Sequence, residues 1–356
     1  NMHKVKKLLY RLYSDKEYLL KSKHIESMTI SEAKKILDNY YYQKPPVFQQ
    51  KVKYNPEYDL MIIVPVYNCE EFLNECIQSL IGQKTKYSYK IIFVDDGSTD
   101  DSSSILDSYI ENERVEVIHQ NNMGIAGARN TALKNICGRY IMFVDSDDLL
   151  ADNAVQLLMD VALAKNADLV EGAHIEFVDA RFKNNELKIE ALSGYPWGKV
   201  IYFEKMTSLC FPEGYQYEDT IMSTLLIPSC KKIYTIPNVT YYYRKNNKSI
   251  TAKLEKRKES IDTFYMTYYC FNEASRRGYK IYLEDLLHQV RLNWLRTQNL
   301  PVKIKKAIFI LEKELLLCLC NESDRLNVKG VLLKLEKVLR KASFCAYEWL
   351  MDNWKV

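Results

Sequence analysis

The stretch Met61-Ile62-Ile63-Val64-Pro65-Val66 decides the fold. Six apolar residues in a row, without alternation, describe a strand covered on both faces, as in a parallel sheet between helices. Pro65 cannot donate to a ladder and suits a strand end. Working outward, residues 70–81 have helical period, with Phe72, Leu73, Cys76, Ile77 and Leu80 on one side. Asn68 and Glu71 read as a capping pair before it. Further strands are predicted over 89–94, 115–119, 140–144 and 168–172. Helices are predicted between them over 102–110, 126–136 and 153–165. This alternation predicts an α/β fold, a mostly parallel Rossmann-like sheet flanked by helices. Such sheets bind ligands at the carboxyl ends of their strands.

On either side the pattern changes. Residues 1–58 read as a helical N-terminal extension and linker. Thr29 and Glu32 form a capping box there, Pro45-Pro46 is a stop, and 49–58 is the linker. Residues 59–251 read as the main domain, with a nucleotide-binding half (59–150) and an acceptor half (151–251). Residues 252–356 read as a helical C-terminal region, with Leu332, Leu335, Val338 and Leu339 at helical spacing.

Across 356 residues, 47% hydrophobic and 27% charged content supports a full core and excludes wholesale disorder. No apolar run approaches the ~20 residues of a membrane span, and no leader segment is evident before the charged Arg11, Asp15 and Lys16. The nine cysteines form no Cys-x-x-Cys pair, so neither a zinc knuckle nor a disulfide framework is expected. A reduced, cytoplasmic chain is the expectation. The net charge of +4 is uneven. Residues 1–53 and 252–356 each carry +7, leaving −10 for the centre. An acidic centre argues against nucleic acid as a partner. It fits cation binding, with basic flanks that are solvated faces or lie against an anionic surface.

Three motifs carry chemistry. In Val94-Asp95-Asp96-Gly97-Ser98-Thr99-Asp100, a buried strand delivers two carboxylates to its tip. Asp95 or Asp96 can accept from a uracil imide, and Ser98 and Asp100 read as caps of the next helix. In Phe143-Val144-Asp145-Ser146-Asp147-Asp148, acids at i and i+2 past a strand end can share one hard divalent cation with ligand phosphates. Asn122-x-Gly124-Ile125-Ala126-Gly127-Ala128-Arg129-Asn130 sets small residues and a cation at a helix start.

Together with Ile63-Val64-Pro65-Val66-Tyr67-Asn68, these motifs resemble, in order and spacing, glycosyltransferase family 2, over roughly residues 60–251. The resemblance implies a GT-A fold and an inverting, metal-dependent transfer from a UDP-sugar to an acceptor hydroxyl. It makes Asp145-Ser146-Asp147 the Asp-x-Asp motif, with Asp147 and Asp145 as ligands of Mn2+ or Mg2+. Pro65, Val66, Tyr67, Asp95, Asp96, Asn122 and Arg129 would line the nucleoside pocket. Trp197-Gly198-Lys199 resembles a donor- and acceptor-positioning segment, and Trp197 is the aromatic expected to stack on a sugar. Glu218-Asp219 resembles the family's acidic pair, with Asp219 as base and Glu218 beside it. Arg244 and Ser249 resemble a loop that closes over the diphosphate.

The implied acceptors are bacterial surface polysaccharides, lipid-linked oligosaccharides or glycoproteins. Peripheral contact with the inner face of the membrane and a homodimer remain open through the helical flanks. Two other readings stand beside transfer: a non-catalytic nucleotide-sugar-binding scaffold and a sugar-phosphate nucleotidyltransferase. The latter class carries a Gly-rich basic loop after its first strand, where this chain has Val66-Tyr67-Asn68-Cys69-Glu70.

Overall fold

The structure is a computed structural model describing residues 26–178, 187–188, 192–245, 257–321 and 328–354. The chain forms two compact units, Pro46–Ser249, and Asn1–Pro45 with Ile250–Val356.

The larger unit is built on one sheet. Its strands are β1 (Lys53–Val66), β2 (Tyr89–Asp95), β3 (Val115–His119), β4 (Asn135–Phe143), β5 (Leu149–Leu150), β6 (Leu169–Phe177), β7 (Leu187–Lys188), β8 (Lys199–Tyr202) and β9 (Ile233–Arg244). Their order is β3-β2-β1-β4-β8-β6-β9-β5, with β7 on β6. From β3 to β4 every pairing is parallel, with Ile63 opposite both Ile92 and Phe143. Leu60, Ile62, Val64 and Val66 face the helix Glu70–Ile81 through Leu73, Cys76, Ile77 and Leu80. Met61 and Ile63, on the opposite face, are equally buried. Burial on both sides is what the unbroken apolar run encodes.

Beyond β4 the sheet is mixed. β8 runs antiparallel to β4 and β6, β6 and β9 are parallel, and β5 is antiparallel to β9. An antiparallel neighbour needs no crossover helix, and none lies between β6 and β8 among the described residues.

Several boundaries differ from the sequence reading. The linker expected over 49–58 is strand from Lys53 onward, paired with β4 at Lys53–Asn135 and Tyr54–Ile136. The helix expected over 126–136 is Gly124–Leu133, because β4 already begins at Asn135. The helix expected over 102–110 ends at Asp107. Asn68 is not a cap. It adopts φ 48, and its Oδ1 accepts from Thr99 N at 2.7 Å, tying the end of β1 to the loop after β2. Ser98 likewise accepts from Asn68 N (3.1 Å) rather than capping its own helix.

The second unit is helical: Ile30–Tyr40, Asp262–Arg276, Leu283–Thr297, Val302–Leu319, Gly330–Arg340 and Phe344–Asp352. The capping box is present, with Glu32 N on Thr29 Oγ1 (3.2 Å) and Thr29 N on Glu32 Oε2 (2.8 Å). Within the bundle lies a buried carboxyl. Glu312 accepts from Asn293 Nδ2 (2.9 Å) and Tyr347 OH (3.0 Å), and Asn293 Oδ1 accepts from Thr263 and Thr267. Burial pushes the Glu312 carboxyl up to about 8. No helix among the described residues is long and apolar enough to cross a membrane.

Candidate active site

The carboxyl ends of β1, β2 and β4 bring the motif residues to one edge of the sheet. At the end of β2, Asp95 is buried and has both oxygens committed. Oδ1 accepts from Ser98 N (3.0 Å), and Oδ2 accepts from Ser103 Oγ (2.6 Å) and lies 2.8 Å from His119 Nδ1. Burial opposes its charge, but these hydrogen bonds outweigh it and hold the carboxyl below its ordinary value. Asp96 uses Oδ1 alone, accepting from Gln120 Nε2 (2.7 Å) and Met123 N (2.8 Å). Of the pair left open by the sequence, Asp96 is therefore the one with an oxygen to offer a ligand. Asn122 caps Gly124 N (3.2 Å), Tyr67 is exposed, and Pro65 and Val66 are buried beneath it. Gly97 has φ +75, and a Cβ there would meet Asn122 N at 3.0 Å and Gln120 O at 3.2 Å.

At the tip of β4, Arg129 is the centre of an acidic cluster. It is 2% exposed. Its Nη1 donates to Glu218 Oε1 (2.7 Å) and its Nη2 to Asp145 Oδ1 (3.0 Å), with Phe211 under the guanidinium. Asp219, in the turn after Glu218, adds to the field that keeps Arg129 charged despite burial. Burial pushes Glu218 up to about 7; Arg129 opposes that rise and Asp219 adds to it. The residue before the pair, Tyr217, is held at φ 60. For a bulky side chain this is a strained conformation, costing of order 1–3 kcal/mol. Arg129, expected to line the nucleoside pocket, joins the loop of Asp145 and Asp147 to the turn of Glu218 and Asp219.

A second arginine braces the same loop from below. Arg244 Nε donates to Asp147 O (2.7 Å), Nη2 pairs with Glu75 Oε2 (2.6 Å), and the guanidinium lies between Phe72 and Phe177. Its own N–H donates to Asp148 Oδ1 (2.7 Å), while Tyr241 OH donates to Asp148 Oδ2 (2.7 Å) and accepts from Asp145 N (3.1 Å). Asp148 is fully buried, and burial followed by repulsion from Asp147 and Asp145 drives its carboxyl well above the ordinary value. Arg244, expected in a loop that closes over the diphosphate, is 5% exposed and bonded to the Asp147 carbonyl and Glu75. Ser249 lies outside the described residues.

Trp197 and Lys199 are also internal. Trp197, the aromatic expected to stack on a sugar, is 4% exposed and stacked against Tyr195 and Tyr241. Lys199 is fully buried and paired with Glu171 at 3.1 Å. Tyr241 and Tyr243, two apart on the strand that ends at Arg244, both stack on Trp197, and the Tyr241 hydroxyl is bonded to the acid loop.

Mn2+ or Mg2+ was expected at Asp145 and Asp147. Among the described residues, no group of three or more His, Cys, Asp or Glu side chains is arranged to hold a metal ion. What stands at the loop is two half-buried carboxylates, one already facing Arg129. That donor set does not make a protein cage. It fits a hard divalent ion that completes its shell with ligand phosphates and water.

The Glycosyl transferase family 2 model matches residues 61–222. The uncharacterized glycosyltransferase EpsJ of Bacillus subtilis is 30% identical over 282 residues, 69% of this chain and 81% of EpsJ. Glycosyltransferase GlyA of Streptococcus pneumoniae is 30% identical over 212 residues, 52% of this chain but 30% of GlyA, so the chain spans about a third of that relative. Among solved structures, TarS of S. aureus, residues 1–349 in complex with UDP-GlcNAc, shares the fold at TM-score 0.60 and 17% identity. That match covers 83% of this chain and 90% of the TarS fragment. The parallel tip with its acid loop, the turn carrying Glu218 and Asp219, and these similarities agree: the chain belongs to glycosyltransferase family 2.

Proposed function

We propose that this chain transfers a sugar from a UDP-sugar to an acceptor hydroxyl, with inversion at the anomeric carbon. The observation that carries the reading is the Arg129 fork. One guanidinium ties the loop of Asp145 and Asp147 to the turn of Glu218 and Asp219. A site for a diphosphate and a candidate base are thereby held in fixed relation, which is the positioning a displacement at a sugar carbon needs. The UDP-GlcNAc complex of TarS supports a uridine diphosphate donor.

In this reading Asp219 accepts the proton of the attacking hydroxyl. Glu218, held by Arg129, keeps the turn in place. Asp96 meets the base and Tyr67 lies beside it. Asp145 and Asp147 hold Mn2+ or Mg2+, which when bound supplies charge neutralisation to the leaving diphosphate. The acceptor is a bacterial surface polysaccharide, a lipid-linked oligosaccharide or a glycoprotein.

Asp219→Asn tests the assignment. It should lower donor turnover by about 10²–10⁴-fold, the usual contribution of a general base, while UDP affinity stays at the wild-type value. Near-wild-type turnover in the variant would remove Asp219 from the mechanism. Chelation should abolish transfer and added Mn2+ restore it.

A further inference from the structure

The segment from Ser193 to Lys199 is fixed by a buried ion. Lys199 Nζ donates to the carbonyls of Ser193 (2.9 Å) and Tyr195 (2.6 Å) and to Ser193 Oγ (3.0 Å), and Glu171 balances its charge. Glu171 in turn accepts from the Ser193 N–H at 2.8 Å and from its hydroxyl. Sequestering an ammonium costs several kcal/mol unless it is well paired, so this segment is set by a strong constraint.

It carries an aromatic stack. Tyr195 lies on Trp197 at 4.6 Å and 6°, and Trp197 lies on Tyr241 at 4.5 Å and 10° and against Tyr243 at 5.2 Å and 17°. Trp197 and Tyr241 are buried, whereas Tyr195 is 45% exposed. The base of the stack is bonded to the acid loop, through Tyr241 OH on Asp148 and on the Asp145 N–H. Trp197 also bridges to Phe143, the last residue of β4 and two residues before Asp145, which sets the stack alongside the acids.

A lone exposed aromatic is ordinary on a protein surface. A half-exposed ring that tops a rigid stack, on a loop clamped by a buried lysine and beside the acids of a sugar-transferring site, is a shaped surface. We propose that Tyr195 is a saccharide platform, whose ring takes the C–H face of a pyranose beside the Asp-x-Asp loop. The stack below stops the ring from tilting, so that a flat apolar face of the sugar meets a flat ring while its hydroxyls keep their hydrogen bonds at the rim. The inference deepens the sugar-transfer reading and rests on it for the identity of the sugar as donor or acceptor.

The test compares the wild-type chain with Tyr195→Phe and Tyr195→Ala. Isothermal titration with UDP and UDP-N-acetylglucosamine gives the donor side. Saturation-transfer NMR with N-acetylglucosamine and methyl glucoside on the UDP-loaded protein gives the acceptor side. Tyr195→Phe should match wild type. Tyr195→Ala should weaken saccharide binding about tenfold, as expected for uncovering one sugar face, with UDP affinity unchanged. A loss confined to UDP-N-acetylglucosamine identifies the donor ring, and one confined to the free sugars identifies the acceptor ring. The platform is overturned if Tyr195→Ala binds all saccharides like wild type, or if Tyr195→Phe is as weak as Tyr195→Ala. If UDP fails to bind wild type while free-sugar contact still depends on the Tyr195 ring, the platform stands and the transfer reading falls.

Discussion

Replacing Arg129 by Met removes the fork between Asp145 and Glu218 while keeping the bulk of the side chain. Breaking a buried pair from one side costs about 3–5 kcal/mol when the remaining charge has no relief. Here there is some relief. The Asp145 side chain is 27% exposed and gains water, and Glu218, 11% exposed and already near pH 7 in its titration, takes up a proton. The expected loss is therefore about 2–3 kcal/mol. For a unit of roughly 200 residues, at about 2–4 °C per kcal/mol, the thermal midpoint falls by about 4–12 °C. The loss also depends on pH. An acid whose folded value is raised binds more protons folded than unfolded between the ordinary value and the raised one, so stability declines as pH rises through that window. Without Arg129 the Glu218 window reaches higher, and the variant loses more at pH 8 than at pH 6. Arg129→Lys keeps the charge but not two divergent donors, and should fall between wild type and Met. Calorimetry at the two pH values, with UDP titration, is the assay. A midpoint within about 1 °C of wild type at both pH values, with unchanged UDP affinity, would refute the claim that the fork holds the two acidic segments.

Two further outcomes follow from the geometry. Glu312→Gln removes a carboxyl whose folded value is about 8. In wild type its burial is tolerated below the ordinary carboxylate range and destabilises increasingly as pH rises to about 8, so the variant should melt higher than wild type at pH 9 and no higher at pH 5, as measured by thermal unfolding. Gly97→Ala forces a methyl toward Asn122 N and Gln120 O at positive φ; a cost of about 1–3 kcal/mol is expected, with weakened UDP binding by titration, and wild-type affinity would show that the loop adapts.

The parallel half of the sheet was legible because a strand buried on both faces leaves an unbroken apolar run, as at residues 61–66. The start of β1 was not. Lys53, Tyr54, Asn55, Pro56 and Glu57 are exposed and lack alternation; Lys53 and Tyr54 pair with β4, and the next three residues span a register shift before pairing resumes at Tyr58. The acids at the strand tips were visible as residue types, but their partners were not. Arg129 meets Glu218 across 89 residues and Arg244 meets the Asp147 carbonyl across 97. The burial of Trp197, Lys199 and Arg244 was not legible either, because long cations and large aromatics near a site look alike in sequence whether they touch substrate or hold up those that do. Only burial separates the two roles.

The support that β9 gives to the acid loop has a consequence for how little of this chain could work alone. The segment 61–222 contains the strand-tip acids, Arg129 and the Glu218-Asp219 pair. Yet the hydroxyl that steadies Asp145 and Asp148 and the guanidinium beneath Asp147 arrive only with residues 241 and 244. A nascent chain released before that point would hold every diagnostic residue and still lack an ordered corner. The smallest autonomous catalytic fragment therefore extends to at least Arg244, beyond the reach of the signature by which the family is recognised.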